Sequence, residues 1–394
     1  MKRHCRYVYR FVLALTLLPI LPLLSIVARC FSKRTTIGLG PLPLINNVYH
    51  KRALALAGYK AETFCLRPYF ITRDFDRIFD RFGRHLAVLD VLDRLVCHVC
   101  MITRFKCLYL YFNGGVWGEW PMLWRIEPLL FWLAGAKTVL MPYGSDIQDM
   151  RRTSNWRFRQ AVESDYPEQK FCQDVVSRRV DMWTRRADHV IAGCDWIEYL
   201  PSWNTLTLAH FSIDTDAIRP AAVEYAAQNR PLVVLHAPNH KAIKGTSALV
   251  DACRRLNDEG VAIDLRIIQG IPNDRLLEEM RAADVIADQF VIGWYAMFAL
   301  EGCALGKPVM TYIRDDFRQF YRQAGLLEEN ELPFVSADEA HLHEELKRLA
   351  LMSSNERVEI GRKSRTFAER HHSTRAVGSV FACINKSLGL GLEV

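Results

Sequence analysis

Lys244 and Gly245 stand side by side where an apolar run, 231–236, has passed through a short turn and a helical stretch begins. A lysine at that point has a physical use: its ammonium and the free N–H groups of the helix start can together neutralise a departing diphosphate. Further along, residues 284–311 read DVIADQFVIGWYAMFALEGCALGKPVMT, and between Phe290 and Leu305 the only formal charge is Glu301. A carboxylate in such apolar company costs on the order of a few kcal/mol unless hydrogen bonds or a ligand meet it. A third candidate is Asp146, closing Tyr143-Gly144-Ser145-Asp146 just after a strand-like run at 138–142. Polar residues past the carboxyl end of a parallel strand are where such sheets bind substrates. Asp146 then either faces an acceptor or donor sugar or caps the following turn.

The surrounding elements must hold these groups in place. Residues 285–287 form a short apolar strand ended by Asp288, Gly293 permits a turn, and 295–305 has helical length, stopped by Gly306 with Pro308 close behind. Residues 309–313 read as the next strand. Strand, glycine turn, helix and strand make one unit of a parallel α/β sheet, and its helix start near Tyr295 aims N–H groups at whatever lies over the sheet edge. The first half repeats the logic. Strands are expected at 35–39, 61–66, 107–112, 138–142 and 188–193, helices at 46–57 and 86–103, and a charged helix around 74–84. The turn Gly38-Leu39-Gly40 after the first strand lets backbone approach a ligand closely. In the second half, strands at 231–236 and 263–268 alternate with helices running to 257 and over 273–283, 337–351, 361–370 and 377–388.

GWYAMFALEGCALGKPV resembles the signature of retaining GT-B glycosyltransferases of the family-four type (glycosyl transferases group 1). The resemblance implies two Rossmann-like domains facing across a cleft, with Glu301 holding the ribose of a sugar nucleotide and ALGKPV closing the motif. It also implies that Lys244-Gly245 meets the diphosphate and that the turn at Gly40 faces the cleft. YGSD is similar to the Gly-Ser-Asp of relatives, and HFSIDTDAIRP, 210–220, to the segment that closes their first domain. Gly293 stands where the family has a second Glu, Ala296 where it commonly has Gly, and Asn239 where it has an Arg; His240 or Lys241 are substitutes for the last.

The implied architecture is α/β, with a membrane-associated segment at 1–34, an acceptor domain at 35–220, a linker at 221–230, a nucleotide-sugar domain at 231–375 and a helix crossing back at 376–394. At 394 residues the chain has room for both domains, and half of it is hydrophobic. The net charge of +7 is mild and spread along the chain, with no basic and aromatic array of the kind that binds nucleic acid. Eleven scattered cysteines suit a reducing compartment. Cys97 and Cys100 lie in an amphipathic helical run with no second pair at zinc-site distance, so they read as packed thiols and no metal site is expected. His371-His372 reads as surface.

Residues 11–28 carry no charge, between Lys2, Arg3, Arg6 and Arg10 before and Arg29, Lys33 and Arg34 after. A signal peptide, a single span and, because Pro19 and Pro22 interrupt the middle, a bent segment dipping into one leaflet all fit. Trp117, Trp120, Trp124 and Trp132 either pack a core or form an apolar face against a membrane. The expected activity is retaining transfer of a sugar from a nucleotide diphosphate donor to an acceptor hydroxyl on a glycan or lipid-linked molecule. The nucleotide sugar is a co-substrate and no other cofactor is expected. The catalytic domains would face the cytoplasm, where sugar nucleotides are. The alternative is a non-catalytic GT-B protein that binds a nucleotide sugar or assembles a complex at the membrane.

Overall fold

The computed structural model describes residues 2–69, 71–81, 87–220 and 230–392. The expected linker, 221–230, lies outside the described residues except for Arg230. A long helix, α1 (Lys2–Phe31), leads into β1 (Thr36–Leu39), α2 (Asn46–Leu56), β2 (Ala61–Cys65), β3 (Arg77–Ile78), α3 (Ala87–Arg104), β4 (Phe105–Leu110), α4 (Leu123–Ala134) and β5 (Lys137–Leu140). Then come α5 (Trp156–Asp165), α6 (Gln173–Arg186), β6 (His189–Ala192) and β7 (Thr205–Leu206). All seven strands pair in parallel in the order β3-β2-β1-β4-β5-β6-β7. The order reverses between β1 and β4, so the loops leaving these two strands diverge and open a crevice at the carboxyl edge.

The second sheet is smaller. It is built from β8 (Leu232–His236), the single turn α7 (Lys241–Lys244), α8 (Thr246–Asp258), β9 (Ile263–Ile267), α9 (Asn273–Ala282), β10 (Val285–Ala287), α10 (Met297–Ala304) and β11 (Val309–Met310). The strands run parallel in the order β11-β10-β8-β9. Leu232 to His236 are buried throughout, as a central parallel strand covered on both faces requires. Here the reversal lies between β8 and β10, which brings the loop bearing Lys244 against the loop bearing Asp288. Four helices complete the chain: α11 (Asp315–Gln323), α12 (Leu342–Leu351), α13 (Ser354–Phe367) and α14 (Thr374–Ser387). The last, α14, packs on α2, where Asn385 accepts from the Tyr109 hydroxyl at 2.9 Å.

Two expectations fail. The charged stretch from Asp74 is not helical over its described part: Asp76 accepts from the Thr63 amide at 2.7 Å, and Arg77–Ile78 pairs with β2 as an edge strand. Three-residue charge spacing imitated a helix face, but the carboxylate and guanidinium are spent on the neighbouring strand. His372 is not surface either. Its ring is buried, donating from Nδ1 to the Phe211 carbonyl and accepting at Nε2 from the Tyr295 hydroxyl, and burial lowers its pKa to about 3.

Candidate active site

β8 and β10 end side by side, and the groups beyond their carboxyl ends meet. Lys244 Nζ lies 2.6 Å from Asp288 Oδ1, with the lysine side chain 14% exposed and the aspartate fully buried. Asp288 Oδ2 accepts from the Ala296 amide at 2.9 Å, so one carboxylate ties the lysine to the start of α10. The helix begins at Met297, two residues later than the sequence indicates, and its first exposed donors follow Ala296 instead of Tyr295. Tyr295 stacks on Phe334 and bonds His372, and it also forms part of the lining of the cavity described below.

A cavity of about 230 Å³ lies between the two domains at this point. Tyr143, Ser145 and Asp195 line it from the first domain, and His240, Lys244 and Ala296 from the second. A larger groove of about 620 Å³ lies elsewhere, between Asn330 and Arg370. Its Arg370 and Arg362 pair with Glu328 and Glu359, and Lys363 lines it too; it lies away from the Lys244–Asp288 pair.

The other sequence candidates separate into those near the cavity and those spent elsewhere. Glu301, on α10, is buried and accepts from Asn273 Nδ2 at 2.7 Å. Burial pushes its carboxyl up to about 7; the Asn273 bond opposes this and the Asp288 charge adds to it. It does not line the cavity, although it shares the field of Asp288. Gly245 ends α7 with φ +71°. Gly293 has φ +98°, and a Cβ there would come within 2.4 Å of the Arg314 stem, so no side chain fits. Arg314 then runs on to Glu198 and Ser154 of the first domain, both at 2.9 Å. Asn239 is exposed on the turn after β8, while its neighbour His240 meets the Tyr166 hydroxyl at 2.6 Å.

Asp146 and Gly40 serve the chain itself. Asp146 is buried and accepts from the amides of Phe112, Tyr143 and Gly144, each at 3.0 Å. Neither sequence reading describes this: Asp146 does not cap the turn that follows but closes the YGS turn that precedes it and holds that turn against the end of β4. Burial pushes its carboxyl up to about 6 against the pull of those amides. At Gly40 a Cβ would lie 2.1 Å from the Phe64 carbonyl oxygen, so the close approach is by β2 and not by the cleft.

Two acidic residues of the cleft escaped the sequence reading. Asp195, in the turn after β6, is buried, receives Gln148 Nε2 at 3.3 Å and is pushed up to about 7 by burial. Its place past the carboxyl end of a parallel strand was the available signal. Asp165, at the end of α5, points across the cleft and accepts from the Ile243 amide at 2.9 Å and the Ala242 amide at 3.3 Å. No sequence pattern marks it, since its partners exist only once the domains meet.

No protein-family model and no curated protein matches the chain. Solved structures match it over most of its length. Sucrose-phosphate synthase from Thermosynechococcus elongatus has a TM-score of 0.59 at 14% identity, covering 91% of this chain and 99% of that one. HepE of Anabaena in complex with UDP-glucose has a TM-score of 0.56 at 12% identity, covering 89% and 99%. An alpha-glucosyltransferase in complex with UDP has a TM-score of 0.54 at 11% identity, covering 91% and 100%. At these identities the likeness establishes the fold: GT-B, two Rossmann-like domains facing across a cleft.

Proposed function

We propose that the protein is a glycosyltransferase that moves a sugar from a nucleotide diphosphate donor to an acceptor hydroxyl with retention, in glycan, polysaccharide or glycolipid synthesis at a membrane. The observation that carries this reading is the arrangement past the ends of β8 and β10: Ile243, Lys244 and Ala296, the residue before α10, line one cavity, with the Lys244 ammonium and the Ala296 amide tied together through Asp288. That is a set of donors for a departing diphosphate, with Lys244 supplying the charge and the amides of Ile243 and Ala296 fixing direction. Glu301, outside the cavity in the closed cleft, would receive the ribose hydroxyls once the domains part, and Gly245 would let the phosphates approach. Asp146 acts as a positioning residue that shapes the YGS turn. Asp195 is the cavity acid that changes charge near neutrality, as a group handling an acceptor proton does. The departing phosphate itself can take part in deprotonating the acceptor, so no protein nucleophile is required. The nucleotide sugar is the co-substrate, and the reaction as written asks for no other cofactor.

The cleft is tighter than small-molecule sites of roughly 300–1,000 Å³, so a nucleotide sugar enters after the domains part. The contacts that must yield include Asn155 Nδ2 donating to the Val291 carbonyl at 2.7 Å and the Arg157–Glu339 pair. A uridine nucleotide is the first donor to try, because the matched HepE and alpha-glucosyltransferase structures hold UDP-glucose and UDP. Ligand at a hundred times its Kd adds roughly 2.7 kcal/mol to stability. Thermal protection by one nucleoside diphosphate, lost in Lys244→Ala, supports the reading. No protection by any nucleotide sinks it.

One observation favours the second reading, a non-catalytic nucleotide-sugar-binding or assembly protein. The Arg314 stem fills the place from which the family's other Glu would project, beside Gly293. Release of UDP from UDP-sugars in the presence of membrane extract decides between the two; protection without any turnover selects the binding protein.

A further inference from the structure

The flank of the first domain carries an apolar surface that the cleft does not use. Helix α1 lies along α3 and α4. Ala14, Leu17, Leu21, Ser25 and Ala28, three or four residues apart, face the domain and are buried. The opposite side of the same helix is equally apolar but bare: Val12, Leu15, Leu23 and Val27 are each about half exposed, and α4 adds Trp132 at 66%. A surface helix in water carries polar residues on its outer face, and α1 has no charge between Arg10 and Arg29.

Charge appears at both ends of this surface. The side chains of Arg29 and Arg34 both rest over Gly135, where α4 ends: Arg34 Nη1 lies 3.4 Å and Arg29 Nε 3.7 Å from where a Cβ on Gly135 would stand. Arg34 Nε and Nη2 are buried with no hydrogen-bond partner, and burial together with the Arg29 charge lowers the Arg34 pKa. The exposed Arg29 guanidinium and Arg34 Nη1, with no carboxylate bonded to either group among the described residues, are suited to an external anion, while Arg34 Nε and Nη2 stay shielded behind them. At the other end, the Arg10 guanidinium sits 5.6 Å above the Trp120 ring, in the loop that leads from β4 to α4 at the cleft side of the sheet. The bare face therefore runs from the rim of the cleft to the opposite edge of the domain.

We propose that α1 lies in the plane of an anionic bilayer surface while docked on α3 and α4, with Val12, Leu15, Leu23, Val27 and Trp132 entering the lipid and Arg29 and Arg34 holding a lipid phosphate. The inference deepens the membrane part of the proposed function and rests on it. A helix committed along its length to the domain cannot also cross the bilayer, and this placement sets the cleft rim at the membrane, within reach of a lipid-linked acceptor.

Flotation of the full chain on vesicles tests it. With phosphatidylglycerol in a phosphatidylcholine vesicle the wild type floats, and alkaline carbonate strips it off. Leu15→Gln/Leu23→Gln/Trp132→Gln, all at exposed positions, stays in the dense fraction with an unchanged melting curve. Arg29→Gln/Arg34→Gln binds the anionic vesicles roughly thirtyfold less tightly, the effect of removing two cations near a charged surface. Resistance of the wild type to carbonate, or flotation of the triple variant equal to wild type, overturns the in-plane face while leaving membrane association standing. Failure of the wild type to float on any vesicle overturns membrane association itself.

Discussion

The Asp165 carboxylate of the first domain sits 2.9 Å from the Ile243 amide of the second, on the N–H groups that precede Lys244. The donors assigned above to a diphosphate are thus already answered by carboxylates: Asp165 on the amides and Asp288 on the lysine. A nucleotide sugar has to displace the first of these when the cleft opens.

Asp165→Asn should therefore bind UDP more tightly. A neutral amide competes less well for N–H groups: a hydrogen bond to a charged group contributes about 1.5–3 kcal/mol net and a neutral one about 0.5–1.5, so a gain of roughly threefold to tenfold in affinity is expected. Titration calorimetry reads it directly. Weaker binding in the variant would mean that Asp165 shapes the turn for the donor and that the amides do not meet phosphate.

Lys244→Ala has two effects that can be pulled apart. The loss of the ammonium leaves Asp288 buried and unpaired, which destabilises the fold by about 3–5 kcal/mol. Lys244→Ala/Asp288→Asn removes that charge and should regain much of the melting temperature. Nucleotide protection should stay absent in both variants. If the double variant is protected by UDP as well as wild type, Lys244 is a partner for Asp288 and nothing more.

Glu301 ties stability to pH. A carboxyl held near 7 in the fold and near 4.3 when unfolded binds its proton more tightly folded, so it carries no penalty at low pH and costs stability as the pH rises from about 4 through 7. Glu301→Gln should melt like wild type near pH 4 and be more stable at pH 8, by on the order of 3 kcal/mol. The same variant should bind UDP roughly tenfold or more weakly at pH 8, because ribose hydroxyls donate better to a carboxylate than to an amide. Equal nucleotide affinity in the two proteins would remove Glu301 from the site.

These residues divide by how local their cause is. The second sheet was readable because β8 and β10 are short apolar runs ended by a turn, and the reversal between them places Lys244 beside Asp288 without reference to anything distant. Glu301 stood out because one charge interrupts an apolar helix. Asp146 did not reveal its role, since a carboxylate after a strand looks the same whether it faces a ligand or the amides of Phe112 and Gly144; the difference lies in how the β4 end returns beneath it. His372 and Asp165 were opaque for a related reason. Their partners lie more than seventy residues away in sequence and are supplied by the docking of separate elements. Helix α1 was legible as apolar, but only its packing along α4 shows which half remains bare.

Asp146 offers a test of position against chemistry. Its two oxygens satisfy three amides, two of them buried, so Asp146→Ala should destabilise the protein by about 2–4 kcal/mol. Asp146→Asn keeps one acceptor oxygen and should lose less. UDP affinity, measured below the melting transition, should be unchanged in both, since the cap belongs to the first domain. An Asp146→Asn variant that folds like wild type yet loses turnover outright would return this residue to the reacting centre.

Gly293 is where the family pattern and this chain part most sharply, and the cause is steric. Its φ of +98° disfavours every side chain, and the Arg314 stem occupies the space a Cβ would take. Arg314 in turn bonds Glu198 and Ser154 across the cleft, so a residue at 293 pushes on a contact between domains. Gly293→Ala should cost about 1–3 kcal/mol from backbone strain, with more from the displaced arginine. Gly293→Glu should not restore the family's sugar contact; it should melt lower still and bind UDP-glucose no better than wild type. Calorimetric melting with and without UDP-glucose checks both. Were Gly293→Glu to fold normally and gain affinity for the sugar nucleotide over UDP, the arginine would have moved aside and left room for an acidic contact at 293.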